Sequence, residues 1–218
     1  MCTKNEEKYI GQCLKCLSSQ DTPCEIILVD AHSNDKTVEI AKKYADKIVY
    51  DHGKGISDAR NVGWKNASCE IVAYCDCDSV PPRDWTKKIL AEIEGLYAVS
   101  GPIFSYDGTT MMKIKFFLWG DFFPRIMSLI GFQSVWGANM AFRRYILEKY
   151  PFRFRFLEDL DMGQRLRKTF KVRFCKNLGL PVSSRRFKDG FNRICIKYYL
   201  REWWRRKLRR SSTTGYFK

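Results

Sequence analysis

Two short apolar runs in this chain each end on aspartate, and that pattern restricts the fold more than any other feature. Glu25–Val29 reads EIILV and runs into Asp30, and Glu70–Tyr74 reads EIVAY and runs into Cys75-Asp76-Cys77-Asp78. A continuous apolar run of this length is too short for a helix and reads as a strand buried on both faces. Amphipathic segments lie between the runs, so strands alternate with helices. That order predicts an α/β fold, a mostly parallel sheet flanked by helices. Ligands in such sheets bind beyond the carboxyl ends of the strands. The aspartates stand there, where carboxylates contribute little to packing.

The remaining elements are read in the same way. Thr3–Ser19 is predicted as a helix capped by Asn5, with Ile10, Leu14 and Leu17 on one face. Ser33–Asp35 supply capping groups for a helix through Tyr44. Lys47–Tyr50 is a strand, Ser57–Asn66 and Trp85–Ile93 are helices, and Ala98–Phe104 is a further strand. Lys113–Phe142 is the most apolar stretch, but Asp121 and Arg125 interrupt it, so a buried or interfacial helix fits better than a membrane span. Glu158–Lys168 and Phe191–Arg210 complete the helices. The expected division is one catalytic unit over 1–185 and a basic, aromatic tail over 186–218.

The chain of 218 residues carries 39 Lys and Arg against 24 Asp and Glu, a net charge of +15 concentrated toward its end. Such a balance favours anionic partners, whether nucleotide phosphates, nucleic acid or lipid head groups. Nine cysteines and a polar run after Met1 point to reduced thiols and a cytoplasmic location. Cys13 and Cys16 form one CxxC, but a zinc site would need a second pair.

Three constellations carry chemistry. Asp76 and Asp78 are two hard carboxylates one residue apart, able to hold Mn²⁺ or Mg²⁺ and orient a diphosphate around it, although a solvated acidic turn has the same composition. In Lys54–Gly63, glycines allow close backbone approach while Lys54 and Arg60 can meet phosphate oxygens; an ordinary capped helix is the alternative. In Phe156–Asp161 (FLEDLD), acids near a helix start either cap it or offer a general base to a hydroxyl.

Taken in order, Thr3-Lys4-Asn5-Glu6-Glu7, Val29–Thr37, Gly55–Gly63, Asp76-Cys77-Asp78, Gly137-Ala138-Asn139-Met140 and Glu158-Asp159-Leu160-Asp161 resemble the family-2 glycosyltransferases of the GT-A fold. The resemblance covers residues 3 to 170. It implies an inverting transfer of sugar from a nucleotide-diphosphate donor to an acceptor hydroxyl. By the same resemblance Thr3 and Asp30 line the nucleoside pocket, with Asp30 near the base. Arg60 holds the nucleotide, Asp76 lies near the ribose, Asp78 is the metal ligand and Asn139 belongs to the substrate site. Asp159 is the implied catalytic base, with Glu158 and Asp161 as fallbacks.

The chain also departs from the family pattern. The apolar first strand that usually precedes the motif at Thr3 is missing or reduced to a stub, because Met1-Cys2 stands there. Position 31 is Ala where many members carry a second acid, and His32 reads as a surface-loop residue or a nucleotide contact. The processive signature QxxRW is absent, since Gln164 is followed by Arg165-Leu166-Arg167-Lys168, which favours single-sugar transfer.

One rival reading is a nucleotidyltransferase on a similar sheet, but Thr3–Glu7 offers no glycine-rich basic loop. The other is a single-stranded nucleic-acid-binding protein, prompted by Tyr198, Tyr199, Trp203 and Trp204 among basic residues. The acids at 76, 78 and 158–161 would repel a phosphate backbone, so no nucleic-acid partner is expected. The same aromatic, basic composition suits the inner face of an anionic membrane and hence a lipid-linked acceptor.

Overall fold

The computed structural model describes residues 1–129, 135–155 and 157–185. The predicted helix at Phe191–Arg210 and the tail 186–218 lie outside these residues. Strands β1 (Cys2–Thr3), β2 (Ile27–Asp30) and β3 (Lys47–Tyr50) form a parallel sheet in the order β1-β2-β3. Its register aligns Thr3 with Asp30 and Asp30 with Tyr50, so three carboxyl ends finish level. A second sheet runs β4 (Ile71–Cys75), β7 (Asn139–Arg143), β5 (Ala98–Ser100), β8 (Val172–Phe174). There β7 is antiparallel to both neighbours and begins at Asn139, opposite Cys75. A small parallel pair, β6 (Ile103–Ser105) and β9 (Leu180–Val182), completes the strands among the described residues. The architecture is the predicted α/β one, with mostly parallel pairing.

The first strand is the expected stub of two residues, and among the described strands it pairs only with β2. Sulfur contacts join β1 and the helix that follows it to the loop after β4. Cys77 Sγ donates to the Cys2 carbonyl at 3.2 Å, and Cys13 Sγ donates to the Asp76 carbonyl at 3.4 Å. Burial pushes the Cys77 thiol well up, and a hydrogen bond with Cys75 together with burial does the same for Cys13. Both therefore stay protonated and able to donate. The eight described cysteines are free thiols.

Helices α1 (Ile10–Ser18), α2 (Thr37–Ala41), α3 (Ile56–Lys65) and α4 (Trp85–Glu92) follow the strands. Ile10, Leu14, Leu28, Trp85, Ile89 and Val99 share one core cluster that spans both large sheets. A second cluster joins Tyr74, Met140, Phe142, Phe152, Met162 and Leu166.

Several expectations are corrected. Helix α1 starts at Ile10, not Thr3, and Asn5 does not cap it. Asn5 instead has φ of 54°. Its N–H donates to Ser33 Oγ at 2.8 Å and its Oδ1 accepts from Asn34 N at 2.9 Å. Glu6 N donates to Thr37 Oγ1 at 2.7 Å, and Glu7 N to Asp35 Oδ2 at 3.1 Å. Short polar side chains that could have capped two helices are used to join the loops after β1 and β2, the competition expected of Asn, Asp, Ser and Thr.

The strand expected over Ala98–Phe104 breaks at Gly101-Pro102 into β5 and β6. A side chain at Gly101 would overlap the backbone of Leu178. The apolar stretch expected to be helical over Lys113–Phe142 ends instead in strand β7, whose apolar middle Met140-Ala141-Phe142 is too short to show a period of two. The helical part of that stretch is α5 (Thr110–Phe117), a π-helical turn (Leu118–Phe122) and α6 (Phe123–Leu129). Helix α7 (Arg144–Lys149) follows β7, and α8 (Glu158–Leu166) carries the acidic run.

Candidate active site

The level strand ends of the first sheet set one wall of the site. Asp30 is fully buried, and its carboxylate is held by its own loop, accepting from Ser33 N at 2.8 Å and Ser33 Oγ at 2.6 Å. Thr3 is buried beside it in the sheet register. His32 has φ of 56°, and its ring stacks on Tyr50 with centroids 5.6 Å apart. Both rings are largely exposed, so they present a flat aromatic face next to the end of β2.

The loop after β4 brings in Asp76 and Asp78, with Asp78 buried and Asp76 half-buried. Its turn is closed by Ser79 N donating to the Asp76 carbonyl at 3.1 Å. Opposite stands Arg185, just past β9. Its Nε donates to Asp78 Oδ2 at 2.8 Å, and its Nη2 donates to both oxygens of Glu6 at 2.5 and 2.6 Å. The guanidinium also lies 4.3 Å from the Tyr9 ring centroid. Burial opposes its charge, but bonds to Glu6 and Asp78 more than offset this and hold Arg185 firmly protonated.

The donor set at Asp76 and Asp78 fits a hard divalent cation, and the guanidinium already on Asp78 shows that this carboxylate sits where positive charge is favourable. Among the described residues, no group of three or more His, Cys, Asp and Glu could hold a metal ion. Two protein carboxylates would leave the rest of the coordination shell to water and phosphate oxygens, the usual arrangement for Mg²⁺.

The third group is built around Arg60, which α3 buries. Arg60 Nη1 pairs with Glu158 Oε1. The guanidinium lies 5.5 Å from the Phe152 ring centroid and 6.0 Å from that of Tyr74. Gly137 lies so close that any side chain there would strike the Arg60 guanidinium. Burial works against the Arg60 charge, yet Glu158 and Asp159 keep it protonated above its ordinary range. Burial pushes the Glu158 carboxyl up to about 7 against the pull of Arg60, with Asp159 adding to the rise.

Asp159 is half-buried, and two backbone N–H groups orient it: Gly137 N to Oδ2 at 2.9 Å and Leu160 N to Oδ1 at 2.7 Å. Leu157, immediately before α8, has φ of 54°, a strained value for a leucine, which turns the acidic run into the site.

The structure thus gathers Thr3 and Asp30 on one wall, Asp76 and Asp78 at the next strand end, and Arg60, Glu158 and Asp159 around Gly137. Asp161 is not brought into that group, because it pairs with Arg165 one turn along, Oδ2 to Nε at 2.7 Å. Lys54, read as a phosphate contact alongside Arg60, is exposed while Arg60 is buried. Asn139 stands at the same edge, but its side chain is taken up by the framework. Its Oδ1 accepts from Trp85 Nε1 at 3.1 Å, and its Nδ2 donates to the carbonyls of Pro102 at 3.1 Å and Leu178 at 2.5 Å. Sequence reasoning missed Arg185 and the pairing role of Glu6. Arg185 lies in a run of basic residues with nothing local to single it out, whereas Glu6 was visible as part of the first motif.

Comparison with known proteins gives the family and the fold. Residues 1–151 match the family model described as Glycosyl transferase family 2. The fold is similar to that of the mannosyltransferase PcManGT from Pyrobaculum calidifontis in complex with GDP-Man and Mn²⁺, with a TM-score of 0.72 at 19% identity, covering 98% of this chain and 64% of that one. It is also similar to S. aureus TarS 1-349 in complex with UDP-GlcNAc, with a TM-score of 0.64 at 22% identity over 82% and 55% of the two chains. A curated relative from Methanococcus voltae, named as a dolichyl N-acetyl-alpha-D-glucosaminyl phosphate 3-beta-D-2,3-diacetamido-2,3-dideoxy-beta-D-glucuronosyltransferase, is 32% identical over 95 residues, 39% of this chain and 30% of that protein. The chain therefore spans about a third of that relative and under two thirds of the two enzymes of known structure. With its GT-A architecture and a family match over most of its length, the chain belongs to glycosyltransferase family 2.

Proposed function

We propose that this chain transfers a single sugar from a nucleotide-diphosphate sugar to an acceptor hydroxyl, with inversion at the sugar carbon. The observation that carries the reading is that Asp30 and the Asp76/Asp78 pair stand at the carboxyl ends of β2 and β4, while Arg60, Glu158 and Asp159 meet around Gly137. The His32–Tyr50 stack and buried Asp30 suit a nucleoside, rings against its base and the carboxylate toward its polar edge. Asp78, with Asp76, would hold Mn²⁺ or Mg²⁺, which supplies positive charge to the departing diphosphate. Asp159 is half-open and oriented by two N–H groups, so it is suited to take the proton from the acceptor hydroxyl as that oxygen attacks. Glu158 then serves Arg60, keeping the guanidinium in place behind the base.

The nucleotide is left open by the differing donors of the two similar structures, UDP-GlcNAc and GDP-Man. A thermal-shift panel of UDP-, GDP- and CDP-sugars, with and without Mn²⁺, tests the reading. A donor that binds only the folded state raises the Tm in a concentration-dependent way. No shift with any donor in the presence of Mn²⁺ would sink it.

For the acceptor we propose a lipid-linked substrate, met by a protein lying peripherally on the inner face of an anionic membrane. The helical stretch from Thr110 to Leu129 carries Met111, Ile114, Leu118, Phe122, Ile126 and Leu129, spaced three or four residues apart and all exposed. Phe116, Gly120 and Pro124 recur every four residues and are buried. A π-turn has a wider repeat than an α-turn, so the four-residue rhythm continues through it and the two faces stay apart. An apolar stripe of this length turned outward marks an interaction surface. Exposed Lys113 and the net positive chain suit anionic head groups. Co-sedimentation with anionic vesicles should fall when Ile114, Leu118 and Ile126 are replaced together by Ser. Equal binding by that folded variant would reject this face.

A further inference from the structure

Arg185 places a protein cation where the donor site is expected to gather positive charge. Its guanidinium is shared between two buried acids from different loops, Glu6 after β1 and Asp78 after β4. Its backbone is held from behind. Ser183 Oγ donates to Asp107 Oδ2 at 2.6 Å, Ser184 N donates to Asp107 Oδ1 at 2.7 Å, and Ser183 N donates to the Asp78 carbonyl at 3.0 Å. The backbone at Arg185 is thus anchored, while the side chain as a whole keeps about a quarter of its surface open to solvent. A half-open guanidinium gains about as much from a phosphate as from a carboxylate, since its fork matches either anion. A divalent ion approaching Asp78 meets that guanidinium first, and two cations cannot hold one carboxylate oxygen without repulsion.

We propose that Arg185 is an exchangeable counter-cation of the donor site. Without donor it neutralises Glu6 and Asp78 and competes with the metal. With donor it leaves Asp78 to the metal and turns its fork to the nucleotide diphosphate. No bond is made or broken in this exchange, and it rests on the donor-site reading above. Tyr9, under the guanidinium, gives the arginine a surface on which to pivot while keeping its cation–π contact. The residue is a positioning group for metal and donor, not a catalytic one.

Two affinities that move in opposite directions test this. Mn²⁺ alone is titrated into wild type, Arg185→Gln, Arg185→Lys and Asp78→Asn, with binding read by electron paramagnetic resonance and folding by the Tm of each variant. The proposal expects Arg185→Gln to bind Mn²⁺ about tenfold more tightly, the scale of one lost charge-assisted competitor. Arg185→Lys, which keeps the charge, should stay near wild type in that assay and serves if the glutamine variant does not fold. With Mn²⁺ saturating, UDP and GDP are then titrated; both arginine variants should bind the better of the two more weakly, Lys less so than Gln. Mn²⁺ binding unchanged or weakened in Arg185→Gln, while Asp78→Asn loses it, overturns the exchange and leaves the metal site standing. Undiminished Mn²⁺ binding in Asp78→Asn would remove the donor-site reading itself, and the exchange with it.

Discussion

Two arginines pair with buried acids, and they differ in what surrounds them. The side chains of Arg60 and Glu158 are 6% and 8% exposed, while Arg185 is 26% exposed above acids that are themselves buried. Arg60 is enclosed by the Phe152 and Tyr74 rings and by Gly137. Arg185 rests on one ring and is open on its outer side. Breaking a fully desolvated pair leaves a buried charge without compensation, whereas a half-open guanidinium can be re-solvated by water. The first arginine is therefore architecture around Asp159, the proposed base, and the second can change partners as proposed above.

Substitutions sharpen that contrast, taken from the largest effect downward. Asp78→Ala should abolish transfer and metal-dependent donor binding while the Tm stays near wild type; turnover at the normal rate would remove Asp78 from the metal site. Asp159→Asn should lower transfer by about 10²–10⁴-fold and leave donor affinity nearly intact, because a base acts on the acceptor. A near-normal rate there, with a loss in Glu158→Gln, would exchange the roles of the two acids. Arg60→Met should cost about 3–5 kcal/mol of stability by denaturant unfolding, since it strands Glu158. Arg185→Gln should cost less than Arg60→Met in the same assay, because water can enter beside a side chain that is already 26% exposed, and equal losses would erase the distinction between the two arginines.

The smallest effect is one of pH. Glu158 is raised to about 7 in the folded protein from an ordinary carboxyl value near 4.5. Between those values the folded state holds the proton that the unfolded state has lost, so this group's contribution to stability falls as pH rises. The Tm of wild type relative to Glu158→Gln should accordingly drift downward from pH 5 to pH 8. A drift in the other direction would mean that Arg60, not burial, governs the carboxyl.

Much of this arrangement was legible in the sequence because it depends on short, local signals. Strands β2 to β4 announced themselves as apolar runs, and the acids followed at their carboxyl ends. The spacing of the acidic run at 158–161 put it at a helix start. What escaped depends on contacts between distant segments. Nothing near Asn139 says that its amide would clip Trp85 to Pro102 and Leu178. Strand β7 pairs on both sides and its middle, Met140-Ala141-Phe142, is apolar and buried, so its period is lost in the helical stretch before it. The helix expected from Thr3 failed because its capping side chains found better partners across the sheet edge. Arg185 is one arginine among many, singled out only when β9 delivers it to Asp78.

The sulfur seam between the two large sheets also supplies a built-in clock for their separation. Cys13 and Cys77 are buried and protonated there, while Cys24 and Cys69 are exposed on the same molecule. A thiol-labelling reagent will modify Cys69 first and Cys24 more slowly, because burial pushes the Cys24 thiol up to about 11, and will reach the other two only when the junction opens. Mass-resolved labelling over time would thus report the opening rate of the short first strand, with the surface thiols as internal reference. Donor bound across that junction should slow the late labels and leave the early ones untouched.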